Sequence, residues 1–594
     1  MRLIAVLACL AGACRHTRAP EGPDPHSYAV PQQVAVHHLA LDLSVDFTRR
    51  TLAGTAKLTL TRTDRKAPLV LDGDGLAIER VADCAGAPLH YKVGARGTMG
   101  EPIRIELGTA DCVAISYHTA PDASALLWVD PSGTAGGTHP MLFTQSEAVH
   151  ARSWIPLQDS PGVRFTYEAT IHPPPGLWAL MSAPNPQTPP ADGAWHFRQD
   201  HPIPSYLMAL AVGDFAFRRT GPRSGVYAEP SVVEGAAWEF AEVEAMIDAA
   251  EQLYGPYRWG RYDMLVLPPS FPFGGMENPN LTFLTPTVLS GDRALVSLIA
   301  HELAHSWSGN LVTNSTWNDT WLNEGVTTYV EHRIMEQLRG RETSDVLWYI
   351  AREDVDEALA QYGTGPATRL AHHYGRDTNA EDIPTGLAYE KGALFLRTLE
   401  QAYGRATFDA WLRGWFERHA FQSVDSKMFA AEVKPLGDKV PIATWLDGGG
   451  LPAGAAATPS AHATAIEQLA TSGAEIDAAQ WTTLDWVVYL RSLPERSPAA
   501  RLQALDDRYH LTATANAEIA MNWLPLVVRA DMRTAAPAVE DYLKKVGRVR
   551  NLRPVYAAMM GGAESWRALA RSTFAHASPR YHPITRAALA DLVK

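Results

Sequence analysis

From His38 to Phe47, apolar residues at Leu39, Leu41, Leu43, Val45 and Phe47 alternate with Ala40, Asp42, Ser44 and Asp46. A period of two puts successive side chains on opposite faces, so this segment predicts a strand with one buried face. The alternation resumes through Ala56, Leu58 and Leu60, and similar segments bounded by Gly, Pro and Asp recur to about residue 218, among them Arg164 to His172 and Tyr206 to Phe217. The N-terminal third therefore reads as all-β. After Pro230 the spacing changes to three and four residues, from Trp238 to Tyr254, and stops at Gly255-Pro256, a helix with its terminator. A mainly helical domain follows. Gly448 to Ala463 is rich in Gly, Pro and Ala without periodicity and predicts a linker. From Ala465 onward helical spacing dominates, with no repeat regular enough to name a repeat family. The predicted boundaries are 32–218, 219–447, linker 448–463 and 464–594.

Length agrees with this partition, because 594 residues exceed one core at roughly 100–200 residues per domain. With 46% apolar and 20% charged residues the chain can bury large cores, and disorder cannot dominate it. A net charge of −13 and the lack of any long Lys/Arg run disfavour a protein built to neutralise phosphates, so nucleic acid is not an expected partner. Net charge leaves the substrate's charge open, since one buried Arg can outweigh many exposed carboxylates locally.

The start of the chain adds an address. Met1-Arg2, the apolar run Leu3 to Ala13 and the small residues Ala11-Gly12-Ala13 before Cys14 form a secretory signal over residues 1–13. The run is too short to span a bilayer, which needs roughly 20 apolar residues. Leu10 to Cys14 also resembles a bacterial lipoprotein box, with Ala11 where Leu is usual. A lipid on Cys14 would tether the protein to a membrane, with residues 14–31 as a polar, Pro-rich spacer. The alternative is a plain signal peptide and a soluble exported protein, in the periplasm or cell envelope. In such a compartment Cys84 and Cys112 either pair or remain two buried thiols.

The chemistry is concentrated in Leu295 to Val312, which contains His301-Glu302-Leu303-Ala304-His305 on a predicted helix before Gly309. Residues four apart share a helix face, so His301 and His305 can present imidazoles to one tetrahedral cation while Glu302 projects beside them. Histidine pairs at this spacing also arise by chance. Here, however, the helix is strongly apolar, and burying two His and a Glu without partners is costly. A catalytic zinc needs a third protein ligand and an open position for water. Glu324, in Trp321-Leu322-Asn323-Glu324-Gly325 at the start of a second helix, is the leading candidate. A carboxylate placed as Glu302 can take a proton as water attacks a carbonyl, so the reaction class is metal-assisted hydrolysis.

Pro268 to Pro279, reading Pro-Pro-Ser-Phe-Pro-Phe-Gly-Gly-Met-Glu-Asn-Pro, and the segment His301 to Glu331 resemble the gluzincin aminopeptidases, in the branch of leukotriene A(4) hydrolase and aminopeptidase B. The resemblance runs from about residue 28 through Tyr581-His582-Pro583-Ile584-Thr585. It implies a multidomain α+β fold with a β-saddle N-terminal domain, a thermolysin-like zinc catalytic domain and an α-helical C-terminal domain. It implies one Zn2+ per chain and short peptides with a free N-terminus as substrates. Glu277, in the motif Gly274-Gly275-Met276-Glu277-Asn278, would bind the substrate's α-amino group, with Glu147 and Gln145 of Phe143-Thr144-Gln145-Ser146-Glu147-Ala148 beside it. Tyr389, in Tyr-Glu-Lys-Gly, would stabilise the oxyanion; Glu331 would orient a zinc-bound His; Arg548 and Arg550 would receive the peptide's carboxylate.

The leukotriene hydrolase also opens a lipid epoxide, using an aspartate eight residues before the catalytic tyrosine. That position is Glu381 in this chain, and the tyrosine that follows in that enzyme is Pro384, so the epoxide site is altered. A bifunctional epoxide hydrolase/aminopeptidase and a retired peptide-binding scaffold are therefore the alternatives to a dedicated aminopeptidase. A retired member should have lost one of the key side chains, and none is lost.

Overall fold

The computed structural model describes residues 24–594, so the signal segment 1–13 and Cys14 lie outside the described residues. The alternating segment from His38 is a strand, Val34–Asp46, and Leu39, Leu41 and Leu43 are buried on its inner face. It lies third in a six-stranded sheet, in the order Trp195–Pro204, Arg164–His172, Val34–Asp46, Thr51–Arg62, Cys112–His118 and Ala77–Asp83. Pairing is antiparallel except between Val34–Asp46 and Arg164–His172. A four-stranded sheet carries Met141–Thr144 in an inner position, next to Leu210–Gly213. Tyr206 to Phe217 is not the single strand its sequence predicts: a short 3-10 turn, Ser205–Leu207, precedes Leu210–Gly213, and a new strand begins at Ala216.

The register that pairs Asp83 with Val113 brings Cys84 beside Cys112, and the two form a disulfide with Cα atoms 5.5 Å apart. Of the two readings of these cysteines, pairing is the one observed. Closing a 28-residue separation removes denatured-chain entropy worth about 3.5 kcal/mol. Changing both cysteines to Ser is therefore expected to lower the melting temperature of this domain by about 5–10 °C in a non-reducing thermal melt.

The middle domain is less helical than its spacing suggests. It opens on a five-stranded sheet, Ala216–Arg219, Ser224–Ala228, Tyr262–Val266, Thr282–Leu284 and Gly275–Met276 in spatial order, with Gly275–Met276 at an edge. The predicted helix from Trp238 is two helices, Val233–Glu239 and Val243–Tyr254. The helices that matter below are α1 (Val296–Ala304), α2 (Trp321–Arg339), α3 (Arg341–Tyr362), α4 (Glu390–Tyr403) and, in the C-terminal domain, α5 (Ala517–Arg529) and α6 (Val549–Gly561).

Residues 448–460 carry no helix, as expected of a linker, but they are not loose. Buried Lys391 of α4 donates to the carbonyls of Thr368 (2.7 Å) and Gly448 (3.0 Å), and the Ala456 amide donates to Thr398 Oγ1. Ser460 caps the next helix, Ala461–Ser472, so helix begins three residues inside the predicted linker. Three domains meet at Phe143, whose ring packs against Phe271 of the middle domain (5.9 Å) and stacks on His582 of the C-terminal helical domain (6.3 Å).

Candidate metal centre and peptide site

Helix α1 ends at Ala304, and His305 caps it with helical dihedrals, so His301 and His305 still share one face. Their Nε2 atoms are 3.2 Å apart. Glu324, in the first turn of α2, brings Oε2 to 3.4 Å from His301 Nε2 and 3.5 Å from His305 Nε2. Ligands about 2.0–2.1 Å from a tetrahedral zinc stand about 3.3 Å from one another, so this near-equilateral triangle fits that ion. Glu324 Oε2 is buried without a hydrogen-bond partner among the described residues, as an atom reserved for a cation would be. Burial opposes its ionisation, but His305 and His301 outweigh that and hold the carboxyl down at about 2.

The outer nitrogens of the two imidazoles are fixed as well. His301 Nδ1 faces Glu331 Oε2 at 3.1 Å, which is the place expected of Glu331. His305 Nδ1 is held by Asn323 Oδ1 (2.9 Å), Thr327 Oγ1 (3.1 Å) and the Ser308 carbonyl (3.1 Å), contacts that sequence reasoning missed. Such contacts orient a ligating ring and set its tautomer. The available signal was the spacing of Asn323 and Thr327, four residues apart on the face of α2 that also carries Glu324.

Glu302 is buried and is not one of the three ligands; burial pushes its carboxyl up to about 7 against the pull of His301 and His305. It lies against the Gly-Gly-Met-Glu-Asn segment so closely that a Cβ on Gly275 would stand 2.4 Å from its Cδ. Glu277 follows on the same segment, buried, accepting from Asn323 Nδ2 at 3.3 Å, with Oε1 4.0 Å from His305 Nδ1. Asn323 thus touches both His305 and Glu277. Glu147 arrives from the N-terminal domain just past the strand Met141–Thr144, and burial, then Glu277, raise its carboxyl well above the usual range. Gln145 Oε1 is buried and unpartnered among the described residues. The Met276 side chain is buried, with Sδ 3.5 Å from Gln145 Nε2, so it supports the site from behind.

Tyr389 sits at the N-cap of α4, its ring stacked on His301 with centroids 5.8 Å apart. Its hydroxyl has no hydrogen-bond partner among the described residues. The distance between Tyr389 and Glu324 is set where α2 and α4 touch backbone to backbone: a Cβ on Gly392 would stand 2.7 Å from Gly325 Cα. Gly392→Ala is expected to push the helices apart, costing about 1–3 kcal/mol of stability. It should also lower kcat about tenfold through a displaced Tyr389, as a thermal melt and steady-state kinetics would report.

One cavity of about 840 Å3 takes in Gln145, Glu147, Glu277, the metal triad and Tyr389, and reaches Arg548 and Arg550 on the C-terminal domain. Arg548 precedes α6, whose Val549 amide donates to the Pro272 carbonyl at 3.1 Å. Its guanidinium rests on Gly274, where a Cβ would stand 2.7 Å from Nη2. Glu381 also lines the cavity, but its Oε1 is occupied by the Ala148 amide (2.8 Å) and His150 Nε2 (3.3 Å).

Known sequences and structures match along the whole described chain. The peptidase M1 N-terminal domain matches residues 25–207, the peptidase family M1 domain residues 238–441, and the leukotriene A4 hydrolase C-terminal domain residues 481–593. The leukotriene A-4 hydrolase of Xenopus laevis is 37% identical, covering 95% of this chain and 98% of that protein. Leucine aminopeptidase 2 of Yarrowia lipolytica is 35% identical, covering 96% and 94%. The solved structure of yeast LTA4 hydrolase in complex with bestatin superimposes with a TM-score of 0.91 at 32% identity, covering 98% of each chain.

Proposed function

This chain belongs to peptidase family M1, and from that membership we propose a role for each side chain of the site. The protein is a zinc-dependent aminopeptidase that takes peptides as substrates. His301, His305 and Glu324 would hold the zinc, which when bound acidifies water and polarises the scissile carbonyl. Glu277 and Glu147 receive the substrate's ammonium, with Gln145 Oε1 as a third acceptor. The edge strand Gly275–Met276 offers its free backbone to the peptide, which lies along it as an added strand. Glu302 takes the proton of the attacking water and delivers it to the departing amine. Tyr389 donates its hydroxyl to the oxyanion. Arg548, with Arg550 beside it, meets the carboxylate of a short peptide.

The observation that carries the reading is the triangle of ligand atoms with edges of 3.2, 3.4 and 3.5 Å beside two carboxylates that are not needed as ligands. Tyr389→Phe tests it: turnover of an aminoacyl arylamide should fall about a hundredfold, the worth of one oxyanion donor, with zinc content unchanged by metal analysis. Unchanged turnover would remove Tyr389 from this role. Epoxide opening as a second activity would have to work with Glu381, whose Oε1 already meets the Ala148 amide and His150 Nε2.

Export is part of the proposal. The leader before Cys14 and the Cys84–Cys112 disulfide both support an oxidising compartment outside the cytoplasm, and a lipid on Cys14 would hold the enzyme at the envelope. Mass spectrometry of the mature N-terminus separates a lipidated Cys14 from a simply cleaved chain.

A further inference from the structure

Two arginines two positions apart, Arg548 and Arg550, converge on a single carboxylate. Asn516 caps α5 by accepting from the amides of Glu518 and Ile519, which places Glu518 in the first turn, where a negative charge is favoured. Glu518 Oε1 lies 3.3 Å from Arg548 Nη1 and 3.3 Å from Asn551 Nδ2, and Oε2 lies 3.2 Å from Arg550 Nη1. The carboxylate is 12% exposed, Arg548 13% and Arg550 50%. Burial opposes its ionisation, but Arg550 and Arg548 outweigh that and keep it below the usual range.

The contacts are long and single. Elsewhere in the same cavity Arg491 meets Asp354 of α3 at 2.6 Å. Glu518 closes neither guanidinium in a bidentate pair, so each keeps donors for another anion. The trio carries one net positive charge, which the terminal carboxylate of a peptide would neutralise. Glu518 therefore opposes the very ligand its arginines attract.

We propose that Glu518 is a specificity-determining residue that competes with the substrate's carboxylate, and so weakens the grip of Arg548 and Arg550 on peptide acids and on the shortened product. This rests on the reading of Arg548 as the carboxylate's partner. Cleavage of a tripeptide leaves a dipeptide that still bears that carboxylate, so arginines without a competitor would retain the product. Glu518 is not needed as a strut for Arg548. The Val549 amide on Pro272, the close seat of Gly547 on the Pro269 carbonyl and the packing on Gly274 already fix that residue.

The test compares one tripeptide as free acid and as C-terminal amide, with the product dipeptide as inhibitor. Glu518→Gln should lower KM for the acid and the inhibition constant of the dipeptide about tenfold, as for a lost charge-assisted contact, and leave KM for the amide nearly unchanged. Glu518→Asp, which keeps the charge, should preserve the parental acid-to-amide ratio. A raised KM for the acid, an unchanged ratio in Glu518→Gln, or an equal change in Glu518→Asp overturns the proposal. Arg548→Gln locates a failure: if that variant still prefers the acid, the assignment of Arg548 has failed, and if it loses the preference, only the role of Glu518 has.

Discussion

Glu302→Gln is expected to lower kcat by three to four orders of magnitude, with zinc content and KM close to those of the parent. General acid–base groups supply about a hundredfold to ten-thousandfold, and the proposed mechanism gives this carboxylate both proton transfers, from the water and to the leaving amine. Gln has the same shape and accepts no proton. Because His301, His305 and Glu324 complete the ligand triangle without it, the substitution leaves the metal site intact. The slot that holds the carboxylate is narrow, since Gly275 approaches Glu302 with no room for a Cβ, and that closeness keeps the carboxylate against the edge strand Gly275–Met276. The loss should appear in kcat, because an interaction made only in the transition state is removed. A variant that kept more than about a tenth of parental kcat with full zinc would show that another group moves the proton.

The parts of this molecule that were legible in its sequence are those where one short segment suffices. Leu39, Leu41 and Leu43 face one core, so period two is written plainly; His301 and His305 are four apart, so their shared face is too. The catalytic sheet was missed because Tyr262–Val266 is buried at every position, and a strand covered on both faces has no alternation to read. Tyr206 to Phe217 misled for the same reason: its apolar residues are continuous from Tyr206 to Val212, and that run passes through the turn at Ser205–Leu207 into the next strand without a break. In the site, Glu324 was found because it opens a helix of recognisable pattern. Asn323 and Glu518 were not, because their importance lies in what they touch across 18 and 30 residues of chain. The junction at Phe143, which brings Glu147 and Glu277 together from two domains, is likewise a fact of tertiary packing.

That junction underlies the second large effect. A peptide whose N-terminus is acetylated should be cleaved about a hundredfold to ten-thousandfold more slowly, in kcat/KM, than the same peptide with a free amine. Glu277 is 3% exposed and Glu147, its carboxyl raised by burial and by Glu277, lies beside it, so an arriving ammonium compensates whatever negative charge the pair carries. An acetyl group brings a carbonyl oxygen instead, and leaving a buried charge unpaired costs about 3–5 kcal/mol. Each 1.4 kcal/mol is about tenfold, so the expected discrimination spans roughly two to four orders of magnitude. Glu277→Gln should shrink that ratio from the free-amine side: the Asn323 contact can persist, kcat/KM for the free peptide should fall about a hundredfold, and the poor acetylated substrate should change little. The comparison needs only two peptides and two proteins. Cleavage of the acetylated peptide within about tenfold of the free one by the parent enzyme would remove the amine anchor and make the site that of an endopeptidase.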